Sequence, residues 1–452
     1  MANDTLRILI QPLKVARIAG VAQKLPVLIR VQAPDPVSTG QKARKPYHIA
    51  LVIDRSGSMC GPPLAEAVRC AKHITNQLEP TDMASLVVFD DRVQTLVPAS
   101  LVGDRRALHL ALSGVHSGGS TNLNGGWQAG AGGLLPAAGQ AALARVILLS
   151  DGNANIGEIT DTAGIAALCA QAAERGVTTS TYGLGPHFNE DLMVEMARRG
   201  SGNHYYGDTA ADLFEPFVEE FDFISALCAR HVRLSLAAAP RVRIRLVNDY
   251  PVDGKAGSPV IRLPDIAFGA EAWALVELDI PARLAVNGAG SLLQAAVSAS
   301  TPEGKPLPFA DALLTLPAMP VSAWEALPTD PLVVARQSEL AAGKLLEQAR
   351  AAAEHGDWTT VERLLAEARE RFAGQPWVID VLEGMAELAG SMDTARFRKE
   401  ALYSARKMSS RISAKEENAY DSPASESGSA SFLRRKIAQG KAQFGRPDES
   451  QT

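Results

Sequence analysis

Three stretches of this chain place oxygen-bearing side chains where apolar runs stop. The first is His48 to Cys60, HIALVIDRSGSMC. Its run Ile49-Ala50-Leu51-Val52-Ile53 reads as a buried strand and breaks at Asp54, Ser56, Gly57 and Ser58. One carboxylate and two hydroxyls at a strand end are three hard oxygen donors. Such donors suit Mg²⁺, Ca²⁺ or Mn²⁺ and not zinc. Gly57 gives the turn the backbone freedom to aim both serines at one ion. The second stretch, Gly118-Gly119-Ser120-Thr121-Asn122-Leu123, is a glycine-rich loop that offers a further hydroxyl. The third, Arg145 to Gly152 or RVILLSDG, is another buried-strand run, ending on Asp151. In an open α/β sheet all three would lie along the edge where ligands bind.

In this order, Asp-x-Ser-x-Ser, then Thr, then Asp, the set resembles a von Willebrand factor A domain of bacterial type with a metal-ion-dependent adhesion site. The resemblance implies that Asp54, Ser56, Ser58, Thr121 and Asp151 hold a divalent ion, Mg²⁺ or else Ca²⁺ or Mn²⁺. It implies direct coordination by the serines, by the threonine in some states, and mostly through water by the carboxylates. Ser120 is the weaker candidate for the threonine's role. It further implies a non-enzymatic, metal-dependent adaptor whose partner protein completes the site with an Asp or Glu. In bacteria similar proteins work beside AAA+ ATPases, which makes such a system a partner class. Rim residues expected around the ion are Arg55, Met59, Asn122, Asn153 and His187, together with Cys60, His116, Asn124 and Asn155.

Other chemistries find less support. A haloacid-dehalogenase phosphatase needs Asp-x-Asp, and Ser56 stands at the second position. There is no Gly-x-x-x-x-Gly-Lys-Ser/Thr loop and no Gly-x-Ser-x-Gly elbow around Ser56 or Ser58. A metal-assisted phosphohydrolase and a scaffold with an idle ion remain the alternatives to adhesion. The cysteines Cys60, Cys70, Cys169 and Cys228 form no Cys-x-x-Cys pair, so zinc and redox motifs are unsupported. Cys70, Cys169 and Cys228 sit in apolar patterns and read as core thiols, in keeping with a reducing compartment. A net charge of −5 gives no argument for nucleic acid. No run of 18 apolar residues and no signal-like N-terminus occurs, so the expectation is a cytoplasmic protein without membrane insertion.

The elements that must position these residues follow from periodicity. From 46 to 229 strands alternate with helices, which predicts a doubly wound, mostly parallel, Rossmann-like sheet. Its helices are expected at Leu64–Leu78, Asp104–Leu112, Leu123–Leu135, Thr162–Arg175, Asn189–Arg199 and Ala210–Ala229, with a hairpin around Asp90-Asp91. The last helix is the element expected to carry any switch. Residues 1–45 hold two strand-like runs and a polar linker at 35–45, too little to make a sheet alone. Residues 230–320 alternate as short antiparallel strands. The economical arrangement is a single β-sandwich built from 1–45 and 230–320, with the α/β domain inserted. Residues 331–413 have helical spacing, and part of them resembles a tetratricopeptide hairpin. This region is expected to form a small bundle that could pair subunits into a homo-oligomer. Residues 414–452 read as a disordered polar and basic tail.

Overall fold

The computed structural model describes residues 5–35, 46–137, 143–184, 189–207, 223, 226–255, 258–283, 291–302, 304–308, 310–410 and 413–414. Residues 36–45 of the expected linker, His187, Ala210–Asp222 and nearly all of the tail lie outside them. The chain divides into two compact units. One comprises residues 39–225; the other is made of 1–38 and 226–452, apart from 302–304.

The second of these units opens with strands β1 (Arg7–Pro12), β2 (Arg17–Ile18) and β3 (Gln23–Gln32). The chain then enters the α/β unit. Its elements are β4 (Tyr47–Asp54), α1 (Pro62–Gln77), β5 (Met83–Phe89), β6 (Val93–Leu101), α2 (Arg106–Ser113) and α3 (Leu123–Leu134). They continue with β7 (Leu143–Ser150), α4 (Thr162–Glu174), β8 (Val177–Leu184), α5 (Glu190–Arg199) and β9 (His204–Gly207). The six strands lie in the order β6-β5-β4-β7-β8-β9. All pair in parallel except the β5–β6 hairpin, which turns at Asp90-Asp91. The order reverses between β4 and β7, the switch point at which doubly wound sheets bind ligands. Asp54 ends β4 there and Ser150 ends β7.

The unit is held by two apolar layers. Ala50, Val52, Val87, Phe89, Val146 and Leu148 share a buried cluster with Leu123 and Trp127 of α3, Ile165 and Cys169 of α4 and Met193 of α5. Ile49, Leu51 and Ile53 alternate to the opposite face and are fully buried as well. The glycines of α3 explain how closely it packs. A Cβ at Gly126 would run into the Phe89 ring, and one at Gly130 into the Val52 side chain. Helix α1 begins with Pro62 and Pro63 in its first turn, positions that need no N–H bond.

The other unit resumes with β10 (Leu227–Ala238), β11 (Arg243–Leu246), β12 (Val252–Lys255), β13 (Ser258–Arg262), β14 (Ile266–Ala267), β15 (Ala270–Ile280), β16 (Leu293–Ser300) and β17 (Ala310–Leu314). The expected helix to Ala229 is corrected here. Leu227 pairs with Ala267 and Ala229 with Ile266, so these residues open a strand rather than close a helix. The N-terminal strands find partners from beyond the α/β unit: one sheet runs β1-β3-β15-β11 and a second β12-β13-β10-β16-β17, both antiparallel. Helices α6 (Pro331–Glu354), α7 (Trp358–Arg371), α8 (Pro376–Gly390) and α9 (Thr394–Ser410) then build their own core around Leu346, Leu365, Leu382 and Phe397. Helix α6 lies on the first sheet through Val333 and Leu340 against Leu28, Trp273 and Leu275. Asn248 ties the helices to that sheet: its amide donates to the Ser409 carbonyl at 2.9 Å and its oxygen accepts from the Leu275 N–H at 2.7 Å. Among the described residues no helix is long and apolar enough to cross a membrane.

Candidate metal centre

The β4 end carries the first donors. Asp54 is fully buried and both of its oxygens are engaged. The Ser56 N–H donates to Oδ1 at 2.9 Å, and the Ser150 hydroxyl donates to Oδ2 at 2.6 Å. The Ser56 and Ser58 hydroxyls lie 3.2 Å apart, so the two side chains converge as an Asp-x-Ser-x-Ser turn requires. Ser56 is buried and Ser58 exposed, which leaves the cluster one open side.

Backbone hydrogen bonds draw the other two stretches to this turn. The Gly118 N–H donates to the Arg55 carbonyl at 2.7 Å, and the Gly57 N–H to the Gly119 carbonyl at 2.8 Å. A side chain on Gly118 would overlap the Asp90 carboxylate, so that position must lack one. The Thr121 carbonyl accepts from the N–H groups of Asn155 and Ile156 at 3.0 and 3.2 Å, joining its loop to the segment after Asp151. Thr121 is buried and Ser120 exposed, which favours Thr121 as the inward hydroxyl. Asp151 is also buried. Its Oδ1 accepts from the Asn153 N–H at 3.2 Å and its carbonyl from the Asn189 N–H at 2.7 Å. All five predicted ligands thus sit on three loops bonded to one another at the switch point.

The electrostatics of the pocket are incomplete. Burial raises the Asp54 carboxyl to about 6; hydrogen bonds from Ser150 and Ser56 oppose this, and the charge of Asp151 adds to it. Its donors are neutral, and among the described residues no positive charge compensates it. Among the described residues no three His, Cys, Asp or Glu side chains gather as a metal site. The donor set is therefore one of hydroxyls and two carboxylates, which fits a hard divalent cation. A cation here would relieve both the desolvation of Asp54 and its repulsion from Asp151.

Two supporting residues escaped the sequence reading. Ser150 closes the apolar run of β7, and its hydroxyl also accepts the Gly152 N–H at 2.8 Å. Asp90 is buried one residue beyond β5, at the hairpin tip. Burial disfavours its charge, yet the Arg92 N–H and the Arg55 guanidinium outweigh this and hold its carboxyl below the ordinary value. The Arg55 Nε lies 3.1 Å from Asp90 Oδ2.

The expected rim needs revision. Met59 is fully buried: the short turn Gly57–Met59 tucks it inward, so it cannot face a partner. Asn124 is buried too, and among the described residues its amide oxygen has no hydrogen-bond partner. Asn122 spends its side-chain oxygen capping α3 on the Gly125 N–H at 3.0 Å. Arg55 and Asn153 are half-buried, and Cys60, His116 and Asn155 are exposed. Cys70, Cys169 and Cys228 are buried.

Residues 48–220 match the family model of the von Willebrand factor type A domain, and this chain contains such a domain. Among curated proteins it is similar to an uncharacterized protein of Synechocystis sp., 26% identical over 247 residues, which is 52% of this chain and 57% of that one. It is 26% identical over 199 residues to the uncharacterized protein YfbK of Escherichia coli, covering 43% of this chain and 34% of YfbK. The bovine inter-alpha-trypsin inhibitor heavy chain H4 is 32% identical over 182 residues, 38% of this chain and 19% of its own length. The matches thus span little more than half, or less, of these relatives. Two solved structures share the fold. A von Willebrand factor type A protein of Catenulispora acidiphila aligns with a TM-score of 0.64 at 14% identity, over 84% of this chain and 90% of its own. The ArnB paralog VWA2 of Sulfolobus acidocaldarius aligns at 0.58 and 17%, over 90% and 99%.

Proposed function

We propose that this protein is a metal-dependent binding protein of bacterial type, not an enzyme. In this reading its von Willebrand factor A domain carries a metal-ion-dependent adhesion site. The observation that supports it most is the buried, cation-deficient Asp54 beside two converging serine hydroxyls. Ser56, Ser58 and Thr121 would hold the ion, with Asp54 and Asp151 behind them. The ion, Mg²⁺ before Ca²⁺ or Mn²⁺, supplies an electrophilic position that an external carboxylate can occupy. Neutral hydroxyl donors leave much of its charge for that carboxylate. The partner is a protein presenting an Asp or Glu. Arg55, anchored on Asp90, and Asn153 stand in the loops that would meet it. A nucleophilic role for Asp54 is disfavoured because both its oxygens already accept hydrogen bonds. In this reading the two antiparallel sheets make up a β-sandwich, and α6 to α9 offer a surface for pairing subunits.

The test is recovery of a binding partner from lysate by wild type and Asp54→Ala, each with Mg²⁺ and with chelator. A protein held only by wild type with Mg²⁺ supports the proposal. Equal recovery in all four arms contradicts it.

A further inference from the structure

One face of α1 opens a groove beside the metal loops. Gly61, Leu64, Ala65, Val68 and Lys72 recur at helical spacing along it. Leu112, Val115 and His116 form the other wall of this open groove, whose volume is about 400 Å³. One end adjoins the site. Gly61 follows the turn that carries Ser58, and Ser117 precedes Gly118, whose N–H is bonded to Arg55. The middle is aliphatic. The far end is marked by Lys72, half-buried and, among the described residues, without an ion-pair partner. Among the described residues no Asp or Glu lines the groove.

These features specify an occupant. Lys72 lies eleven positions beyond Gly61, the N-cap of α1, about 16 Å at 1.5 Å per residue. An extended peptide covers that length in about five residues at roughly 3.3 Å each. We propose that the groove seats the extended, aliphatic segment adjoining the partner's metal-seeking carboxylate. A second carboxylate about five residues away reaches Lys72. The metal gives affinity for any exposed acid, and the groove selects among acids by their neighbours. This proposal rests on the adhesion reading above.

The experiment selects a phage-displayed random dodecapeptide library on the full chain with Mg²⁺. Enriched peptides are expected to carry two acidic residues four to six positions apart with Leu, Ile or Val between them. The most enriched peptide, fluorescently labelled, then serves as the probe. Lys72→Glu should weaken it tenfold or more, Lys72→Met about threefold, and Lys72→Arg little, all with wild-type thermal unfolding. No enrichment, enrichment of peptides with a single acid, or unchanged affinity in Lys72→Glu would overturn the groove. Chelator separates the two readings. Binding that is lost with chelator but indifferent to Lys72→Glu leaves the metal site standing and removes the groove. Binding that needs Lys72 yet survives chelator keeps the groove and removes the metal.

Discussion

Asp54 and Glu271 are both buried carboxylates, and the protein treats them in opposite ways. Glu271, on β15, is answered by its own chain: Arg30 of β3 reaches it with Nη2 at 2.6 Å and Nε at 3.1 Å, and Gln32 donates at 2.9 Å. Among the described residues Asp54 receives a hydroxyl and an amide but no cation, and it faces Asp151. A buried charge without a counter-charge is expensive. A fold that keeps one at a sheet switch point has left room for a cation from outside. On the proposed reading the contrast separates a carboxylate that stabilises the fold from one that serves binding.

The largest expected effect breaks the closed pair. Arg30→Ala strands Glu271 and should cost about 3–5 kcal/mol in urea unfolding. A cost near zero would mean that burial alone does not distinguish the two sites. Asp54→Asn should act the other way in metal-free protein. The folded value of about 6 lies above the ordinary 3.8, so the fold favours the protonated form. Stability from this group is fully present below pH 3.8 and is lost as pH rises through 6. Metal-free wild type at pH 7 carries the whole cost, up to about 3 kcal/mol. In chelator at pH 7 the Asn variant should therefore be the more stable, with a gap that narrows as pH falls toward 4; the reverse order would refute the electrostatic argument.

Smaller effects sharpen the same contrast within one helix. Gly126→Ala in α3 pushes a methyl group against Phe89 and should cost about 1–3 kcal/mol. Gly133→Ala, in the same helix, meets nothing within 4 Å and should stabilise by about 0.5–1 kcal/mol. Thermal unfolding of both variants measures the difference directly.

The candidate cluster was legible because Asp54, Ser56 and Ser58 follow one apolar run and Asp151 ends another, and strand ends gather at one edge. The same logic concealed Ser150. It belongs to the apolar run by position, and only the register of β4 and β7 brings it to Asp54. Asp90 read as a turn residue. Its second role as the anchor of Arg55 needs the pairing of Asp54 with Phe89, which places it one step beyond. Met59 misled because Ser-Gly-Ser-Met looks like an open polar loop, whereas the turn folds its last side chain inside. The boundary near Leu227 was missed because Leu-Cys-Ala suits either a helix or a strand, and pairing with β14 decides it.

The account turns on whether the Asp54 pocket takes a cation. Calorimetric titration of Mg²⁺ into the metal-free full chain tests this most directly, with wild type and Asp54→Asn compared at pH 5.5 and 7.5. Wild type should bind a single ion, more weakly at pH 5.5, where Asp54 must release a proton to accept it, and the variant should show no such site. Absence of binding to wild type, or equal binding to the variant, would contradict the account.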